Sequence, residues 1–225
     1  MSRPASAAPA AGRILDAADR LLVRYGYRKM TVDDLAKEAG IGKGTVYLSF
    51  DSKADVALAC IDRMVERLLQ RLAAIAASSG PPGPRLEAML VERVMHRFDY
   101  ARPHSASLDE LFASLRRPLL ERRRGYFRAE ARALASLIDE GVRLGRFAAD
   151  SAAAARAFVT ATNALLPYSL SIDELGRRDD TLRQAETIAQ LLVRGIAAGR
   201  PAGPRPPRRA VPASPRTNIR RRTPR

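Results

Sequence analysis

Apolar residues recur every three or four positions along most of this chain, and this spacing is the strongest constraint on its fold. In residues 14–25 and again in 57–72, the apolar residues fall on one side of a helix and charged residues occupy the other side. No stretch alternates apolar and polar residues as a strand would. Ala, Leu and Arg dominate the composition and Trp is absent, which favours helices over strands. We therefore predict an all-α protein of about nine helices.

Glycine, proline and capping residues mark where these helices begin and end. Gly26 and Gly40 are suited to end the first two helices, and Thr31 is suited to cap the second. The segment "SSGPPGP" (78–84) interrupts the pattern, and Pro118 is suited to the first turn of a helix. The predicted helices cover residues 12–26, 32–39, 43–50, 52–77, 85–101, 108–116, 118–144, 151–172 and 180–198.

The third predicted helix is too short to be stable in water alone, and its outer side offers little to bury. It lies in "AGIGKGTVYLSFDSK" (39–53), where Val46 and Phe50 point inward at a spacing of four residues. With the glycine turn before it, the helix completes a helix-turn-helix arrangement. Such a helix fits the major groove of DNA with its N-terminal residues towards the base edges. An ordinary solvated helix face is the alternative interpretation.

Eight residues in and around this helix are candidates for DNA contacts. Lys43 suits a guanine or a phosphate, and Gly44 allows the backbone a close approach. Thr45 can hydrogen-bond a phosphate and offer its methyl group to a thymine, while the hydroxyl of Tyr47 can reach the DNA backbone. The full set is Thr31, Lys43, Gly44, Thr45, Tyr47, Leu48, Ser49 and Lys53. The last two lie near the start of the fourth helix, whose free N–H groups also suit a phosphate.

Residues 13–56 resemble the N-terminal domain of the TetR family of bacterial transcriptional regulators. The matching features are an amphipathic first helix, the aromatic-Gly-aromatic turn at 25–27, "TVDDLAKEAGI", "GKGTVY", Phe50, and "SK" at the start of the fourth helix. Further along, "LIDEGVRLGRF" (137–147) looks like the end of the seventh helix in many members. Many members carry two bulky ring residues after the tyrosine, where this chain has Leu48 and Ser49. We expect Ser49 to reach a phosphate more weakly, and Leu48 to contact a thymine methyl group or to pack.

The resemblance implies a homodimeric repressor that binds a palindromic operator in double-stranded DNA, with one third helix in each half-site. It also implies a helical domain that binds a small-molecule effector, with the fourth helix as the lever between the two domains. The last two helices would form a four-helix dimer bundle, and burial within one subunit is the alternative. Their apolar stripe consists of Ile188, Leu191, Leu192 and Ile196.

The fifth to eighth helices carry aromatic and polar residues that suit either core packing or an effector pocket. From the resemblance, we expect effector contacts from His96, Tyr100, Phe112, Tyr126 and Asn163. The two histidines lack further Cys or His partners, so neither a metal site nor a cofactor is expected. Cys60 is expected to be a small core residue, and a redox-sensing role is the alternative.

The positive charge of the chain is concentrated at its C-terminus. The formal charge is +15, but residues 200–225 carry nine arginines, seven prolines and no acid. Residues 1–11 carry one more arginine, Arg3, which leaves +5 for residues 12–199. Such a composition cannot form a packed core. We hypothesise that the tail raises general DNA affinity; no role and contact with an anionic membrane are the alternatives. The predicted domains are a disordered arm (1–11), a DNA-binding domain (12–56), an effector-binding and dimerisation domain (57–198) and a disordered tail (199–225).

Two other functions compete with a ligand-responsive regulator. An architectural DNA binder would rely on the basic tail and hold no ligand. A helical enzyme would need clustered acid, base or nucleophilic groups, and no such group has a persuasive spacing, so an enzyme is not expected. One cysteine and the lack of a long apolar run predict a cytoplasmic protein that does not span a membrane.

Overall fold

The computed structural model describes residues 7–166 and 176–198, and these residues form eight α-helices. Within these ranges there is one 3-10 turn, at Asn163–Leu165, and the nearest approach to a strand is an isolated bridge between Phe147 and Ala197. The prediction of an all-α fold is confirmed. The helices are α1 (Ala7–Lys29), α2 (Val32–Ala39), α3 (Lys43–Ser49), α4 (Lys53–Ala77), α5 (Pro82–Ala101), α6 (Ser105–Arg143), α7 (Ser151–Thr162) and α8 (Arg178–Ile196).

Glycines break the first two helices at the predicted positions. Gly26 interrupts α1 with a φ of 80° and a ψ of 168°, which an L side chain rarely adopts. Gly40 ends α2 in the left-handed conformation, with a φ of 63°, and its N–H donates to the carbonyls of Ala36 and Lys37. Both turns follow from local sequence, because only glycine enters these backbone regions without steric cost.

The N-terminal boundary differs from the prediction. Helix α1 begins at Ala7 and not at Gly12, so the prediction of disorder was wrong for residues 7–11, while residues 1–6 lie outside the described residues. Alanine is the best helix former. Pro9 falls in the first turn, where a backbone N–H makes no hydrogen bond within the helix, so proline is tolerated there. For the same reason α5 begins at Pro82, three residues before the predicted start at Arg85.

Two later boundaries also differ. Helix α6 continues through Pro118, where two helices were predicted, and the break is reduced to a kink at Leu115 with a φ of −119°. Helix α7 ends at Thr162 and not at residue 172, because the chain turns through the 3-10 segment and Leu166 is extended, as a residue before proline prefers. The end of that predicted helix and the tail (199–225) lie outside the described residues.

Helix α4 connects two hydrophobic cores. Ala57, Ile61 and Met64 pack in the first core with side chains of α1, α2 and α3. Leu68 and Leu72 belong to the second core, with α5, α7, α8 and the C-terminal half of α6. The predicted inner stripe of α4 is therefore confirmed, and the same helix contributes side chains to both cores.

A close contact between Gly141 and Phe147 explains the sequence at the end of α6. The Phe147 ring is buried and lies against the Cα of Gly141, where an added Cβ would overlap the ring. The backbone then pairs with the end of α8, with Ala148 N–H donating to the Ile196 carbonyl at 2.8 Å. The segment therefore joins the last helix to the second core.

Candidate nucleic-acid interface and cavities of the helical domain

Local interactions hold the two short helices of the helix-turn-helix in place. The Thr31 hydroxyl accepts a hydrogen bond from Asp34 N–H at 3.1 Å, and the Asp34 carboxylate accepts one from Thr31 N–H at 3.0 Å. This capping box lowers the pKa of Asp34, chiefly through the hydrogen bonds from Thr31. Val46 is buried and packs α3 against the first core. The capping box and the packing of Val46 therefore hold α2 and α3 in position, with the outer face of α3 towards solvent.

The exposed face of α3 carries most of the predicted DNA-contacting residues. Lys43 and Gly44 are exposed and Thr45 is half-buried. The side chain of Tyr47 is 49% exposed and that of Leu48 is 76% exposed. No side chain lies within 4 Å of a Cβ placed at Gly44, so the backbone there is open. The seven-residue helix α3 therefore leaves two large side chains exposed to solvent.

Lys43 has an acidic neighbour within the protein. Its Nζ lies 2.9 Å from a carboxylate oxygen of Asp33, in the first turn of α2. The hydrogen bond to Asp33 raises the pKa of Lys43. Both side chains are more than half exposed, so the pair is open to solvent and to competition from a phosphate.

One of the predicted contacts needs correction, and another also has a structural role. Ser49 is only 2% exposed and lies on the inner side of α3, so its predicted outward placement was wrong. It follows Val46 by three residues and therefore shares the face of the helix that packs inward. The Thr31 hydroxyl is accessible but already takes part in the capping box, where it also donates to Asp34 at 2.6 Å. Its first role is to begin α2.

Lys53 forms structural hydrogen bonds within the protein and is also a candidate phosphate contact. Its Nζ donates to the carbonyls of Tyr27 at 3.1 Å and Arg28 at 3.2 Å, and it lies 4.7 Å from the centre of the Tyr27 ring. These carbonyls belong to the last turn of α1, where a helix favours a positive charge. Lys53 therefore joins the start of α4 to the end of α1, which the sequence did not reveal.

The helical domain contains a buried ion cluster that sequence reasoning missed. Arg93, Arg97 and Glu130 are each at most 1% exposed. The Glu130 carboxylate lies 2.6 Å from Arg93 Nε and 2.5 Å from an Arg97 nitrogen. Arg93 also donates to Thr162 and to Asn163, both at 2.5 Å. Burial lowers the pKa of Arg93 to about 10. A signal was present, because both arginines stand at helical spacing among the buried apolar residues of α5.

Two of the spaces within or against this domain include predicted effector residues. A small one is lined by Tyr100, Phe112 and Arg97 among others, so two predicted effector residues come together there. The larger one, with a volume of about 500 Å³, lies between α6 and α7 and is here called the α6–α7 groove. It is lined by Phe127, Arg128, Ala131, Arg132, Ala135, Ala152, Arg156, Val159, Thr160 and Asn163. Its volume suits a small-molecule ligand.

The other predicted effector residues lie apart from these two spaces. His96 Nε2 is 3.1 Å from the Met64 carbonyl, and burial lowers the pKa of this histidine. The Tyr126 hydroxyl donates to the Asp62 carboxylate. Both side chains link α4 to α5 or α6, and neither lines the small space or the groove. Of the five predicted residues, only Asn163 lines the larger space.

Cys60 lies in the first core and is 1% exposed. Burial raises the pKa of its thiol well above the ordinary value, which disfavours the reactive thiolate. In the part of the chain that the structure describes, no three His, Cys, Asp or Glu side chains are grouped as metal ligands would be. The same residues contain no helix that is both long and apolar enough to cross a bilayer.

A trihelical head with an exposed third helix, joined by one long helix to an all-α domain, defines the class of helix-turn-helix proteins with a helical C-terminal domain. Residues 14–60 match the model of the bacterial regulatory proteins of the tetR family. The chain is also 46% identical over 54 positions to the HTH-type transcriptional regulator EthR of Mycolicibacterium smegmatis, covering 24% of this chain and 25% of that protein. The alignments with curated relatives span only 25–38% of the relatives' own lengths.

Solved structures resemble the chain over most of its length. A transcriptional regulator of the TetR/AcrR family from Thermobifida fusca matches with a TM-score of 0.62 and 29% identity, covering 82% of this chain and 97% of that one. The FadR regulator of Bacillus subtilis, solved in complex with stearoyl-CoA, has the same fold, with a TM-score of 0.62 and 18% identity over 82% of this chain and 98% of that one. By sequence in residues 14–60, and by fold over most of its length, the chain therefore resembles transcriptional regulators of the TetR family.

Proposed function

We propose that this protein is a cytoplasmic, homodimeric repressor that binds a palindromic operator and is released from it by a small-molecule effector. The observation that carries the proposal is the exposed face of α3, where Lys43, Thr45, Tyr47 and Leu48 stand on a capped helix-turn-helix. The family match over residues 14–60 supports the same role for this face. Tyr47 and Lys43 would contact phosphates or base edges, and Leu48 a thymine methyl group.

An incompletely covered face of α8 supports dimerisation. Leu191 is 63% exposed, and Ile188, Leu192 and Ile196 are each only half-buried within the subunit. The neighbouring face of α7 offers small residues such as Ala153 and Ala157, which let a second helix approach closely. A two-fold pairing of these helices would bury the stripe and set two copies of α3 at a fixed separation.

Contacts between α6 and α1 add a second route from the helical domain to the DNA-binding head, beside the predicted lever α4. The Glu110 carboxylate accepts a hydrogen bond from Arg28 N–H at 2.8 Å, and the Ser107 hydroxyl donates to the Leu22 carbonyl. Beside them, Tyr100 at the end of α5 donates to Asp19 of α1 at 3.1 Å. An effector that prefers one arrangement of the helical domain would therefore shift the population of head separations.

The first test is selection from random duplex DNA at about physiological salt, with excess nonspecific competitor, using the full chain and a truncated protein that ends at Ala198. A shared inverted repeat from both proteins supports a dimer that reads sequence. Enrichment of no motif, with binding lost on truncation, contradicts the proposal and favours an architectural binder driven by the arginine tail. The salt dependence of binding tests the tail itself, because fewer phosphate contacts in the truncated protein give a shallower slope.

Tyr47→Ala tests the contact surface. We expect operator binding about tenfold weaker or more, because a single DNA contact contributes on the order of 1–3 kcal/mol. Tyr25→Ala is the matched control, since Tyr25 on α1 is equally exposed, at 49%. Equal affinity of the two variants would remove the assignment of α3 as the reading helix. Thermal unfolding of both variants verifies that the fold is retained.

A further inference from the structure

The α6–α7 groove combines an apolar wall with a cationic rim. Phe127, Ala131 and Val159 supply apolar surface from both helices. Arg128 and Arg132 lie one turn apart on α6, and their side chains are exposed. Like charges at this spacing repel each other, so the arrangement carries a cost that a bound anion would relieve. Arg156 adds a third guanidinium from the opposite wall, on α7.

Unlike several other arginines of the chain, the arginines of this groove have no acidic partner among the described residues. Arg63 contacts two aspartates at 2.7 and 2.6 Å, and Arg85 contacts Glu140 at 2.6 Å. In the described residues, by contrast, the three groove arginines have no carboxylate within 4 Å. Among the described residues, no Asp or Glu lines the groove either. The described part of the chain therefore leaves the positive charge of the groove uncompensated.

The buried Arg93 fixes the orientation of a neutral donor at the end of the groove. A guanidinium can only donate, so the Asn163 atom that faces Arg93 at 2.5 Å is the amide oxygen. The amide nitrogen of Asn163 then points away from Arg93 and is available as a donor. Asn163 lines the groove, so its N–H groups join the three guanidinium groups. The polar groups that converge on this space suit a ligand that accepts hydrogen bonds and carries negative charge.

We propose that the α6–α7 groove binds an organic anion with an apolar body, its carboxylate, sulfonate or phosphate held by Arg128, Arg132 and Arg156. The apolar wall receives the body of the ligand, and a volume of about 500 Å³ is within the range of small-molecule sites. The identification of this anion as the effector that releases DNA rests on the proposed function.

Two fluorescent probes that differ only in charge test this site. One is 1-anilinonaphthalene-8-sulfonate, an aromatic anion, and the other is N-phenyl-1-naphthylamine, which has the same rings without the sulfonate. Both are titrated into the full chain, into the variant R128Q/R132Q/R156Q and into the control R67Q/R102Q/R116Q. The control removes three exposed arginines that do not line the groove.

We expect the groove variant to bind the anionic probe roughly tenfold more weakly or worse, and to bind the neutral probe as the wild type does, because only the charge contacts are removed. The control should bind both probes unchanged. Equal loss of both probes, or no loss of the anionic probe, overturns the proposal. So does a groove variant that becomes monomeric by light scattering, since the groove would then be a subunit contact. Because no DNA is present, these outcomes are independent of the operator selection.

Discussion

Replacement of Glu130 by glutamine tests how the helical domain tolerates two arginines in its core. The Glu130 side chain is fully buried and contacts Arg93 and Arg97 at 2.6 and 2.5 Å. The substitution keeps the shape of the side chain and removes its charge. In the variant, an amide group would also place N–H donors towards guanidinium donors. Both effects disfavour the folded state, because a charge that has left water needs a partner.

The size of the effect follows from the burial of all three groups. Loss of one partner from a buried ion pair costs about 3–5 kcal/mol, and the entire stability of a folded protein is about 5–15 kcal/mol. For a chain of this length each kcal/mol lowers Tm by about 2–4 °C, so we expect Tm to fall by roughly 6–20 °C. For an exposed ion pair on the same helix, we expect the loss of one partner to lower Tm far less. Arg117 and Glu121 lie 3.3 Å apart but are 93% and 68% exposed.

The assay compares Glu130→Gln with Glu121→Gln by thermal and urea unfolding at constant protein concentration. Both substitutions remove one carboxylate from α6, so general effects of charge cancel. We expect Glu121→Gln to remain within about 0.5 kcal/mol of the wild type. Equal stability of the two variants would refute the reasoning, since the buried carboxylate would then contribute no more than an exposed one.

Three further predictions concern single residues. Asp33→Asn should strengthen operator binding roughly two- to fivefold, as measured by fluorescence anisotropy. The substitution frees Lys43 from its partner and removes a negative charge that would face DNA in the proposed complex. Unchanged affinity would argue against a role for Lys43. Burial lowers the pKa of His96 below 6.5, so the unfolded chain binds its proton first and stability falls as the pH drops through 6.5 towards the folded-state pKa. His96→Gln should therefore lose less stability than the wild type between about pH 7.5 and pH 5.5, and an identical pH profile would contradict this. Gly141→Ala should lower the free energy of unfolding by about 1–3 kcal/mol, because the added methyl group forces the Phe147 ring aside. Gly125→Ala, at an open helical position of α6, should leave this free energy unchanged or raise it. Similar unfolding midpoints of the two variants would exclude the predicted clash.

Local signals were sufficient for the helix-turn-helix. Thr31 with Asp34 begins α2, Gly40 ends it, and Val46 turns one side of α3 inward. Each of these effects acts within four residues, so the sequence contains the whole cause. The prediction for Ser49 was wrong because it placed this residue on the outer face of α3. A helix that buries Val46 also turns the residue three positions later inward, and the predicted exposure of Ser49 disregarded this.

Contacts between residues distant in the chain could not be predicted in the same way. Lys53 was expected to face DNA, yet its ammonium group binds carbonyls 25 and 26 residues earlier. Glu130 meets Arg97 across 33 residues, and Asn163 meets Arg93 across 70. Helical spacing does place both arginines on the buried side of α5, but it does not say which side chains complete their hydrogen bonds.

By itself, the sequence determined the all-α class, the glycine breaks at Gly26 and Gly40, the break between α4 and α5, and the helix that presents Lys43 and Tyr47. These features depend on backbone conformation and on periodicity, which neighbouring residues control. Only the tertiary structure decided that Ser49 is covered, that Lys53 joins α4 to α1, and that three arginines line one groove beside Asn163. The physical reason is that burial and charge pairing depend on which helices pack together, and the long-range packing of α5, α6 and α7 fixes those partners.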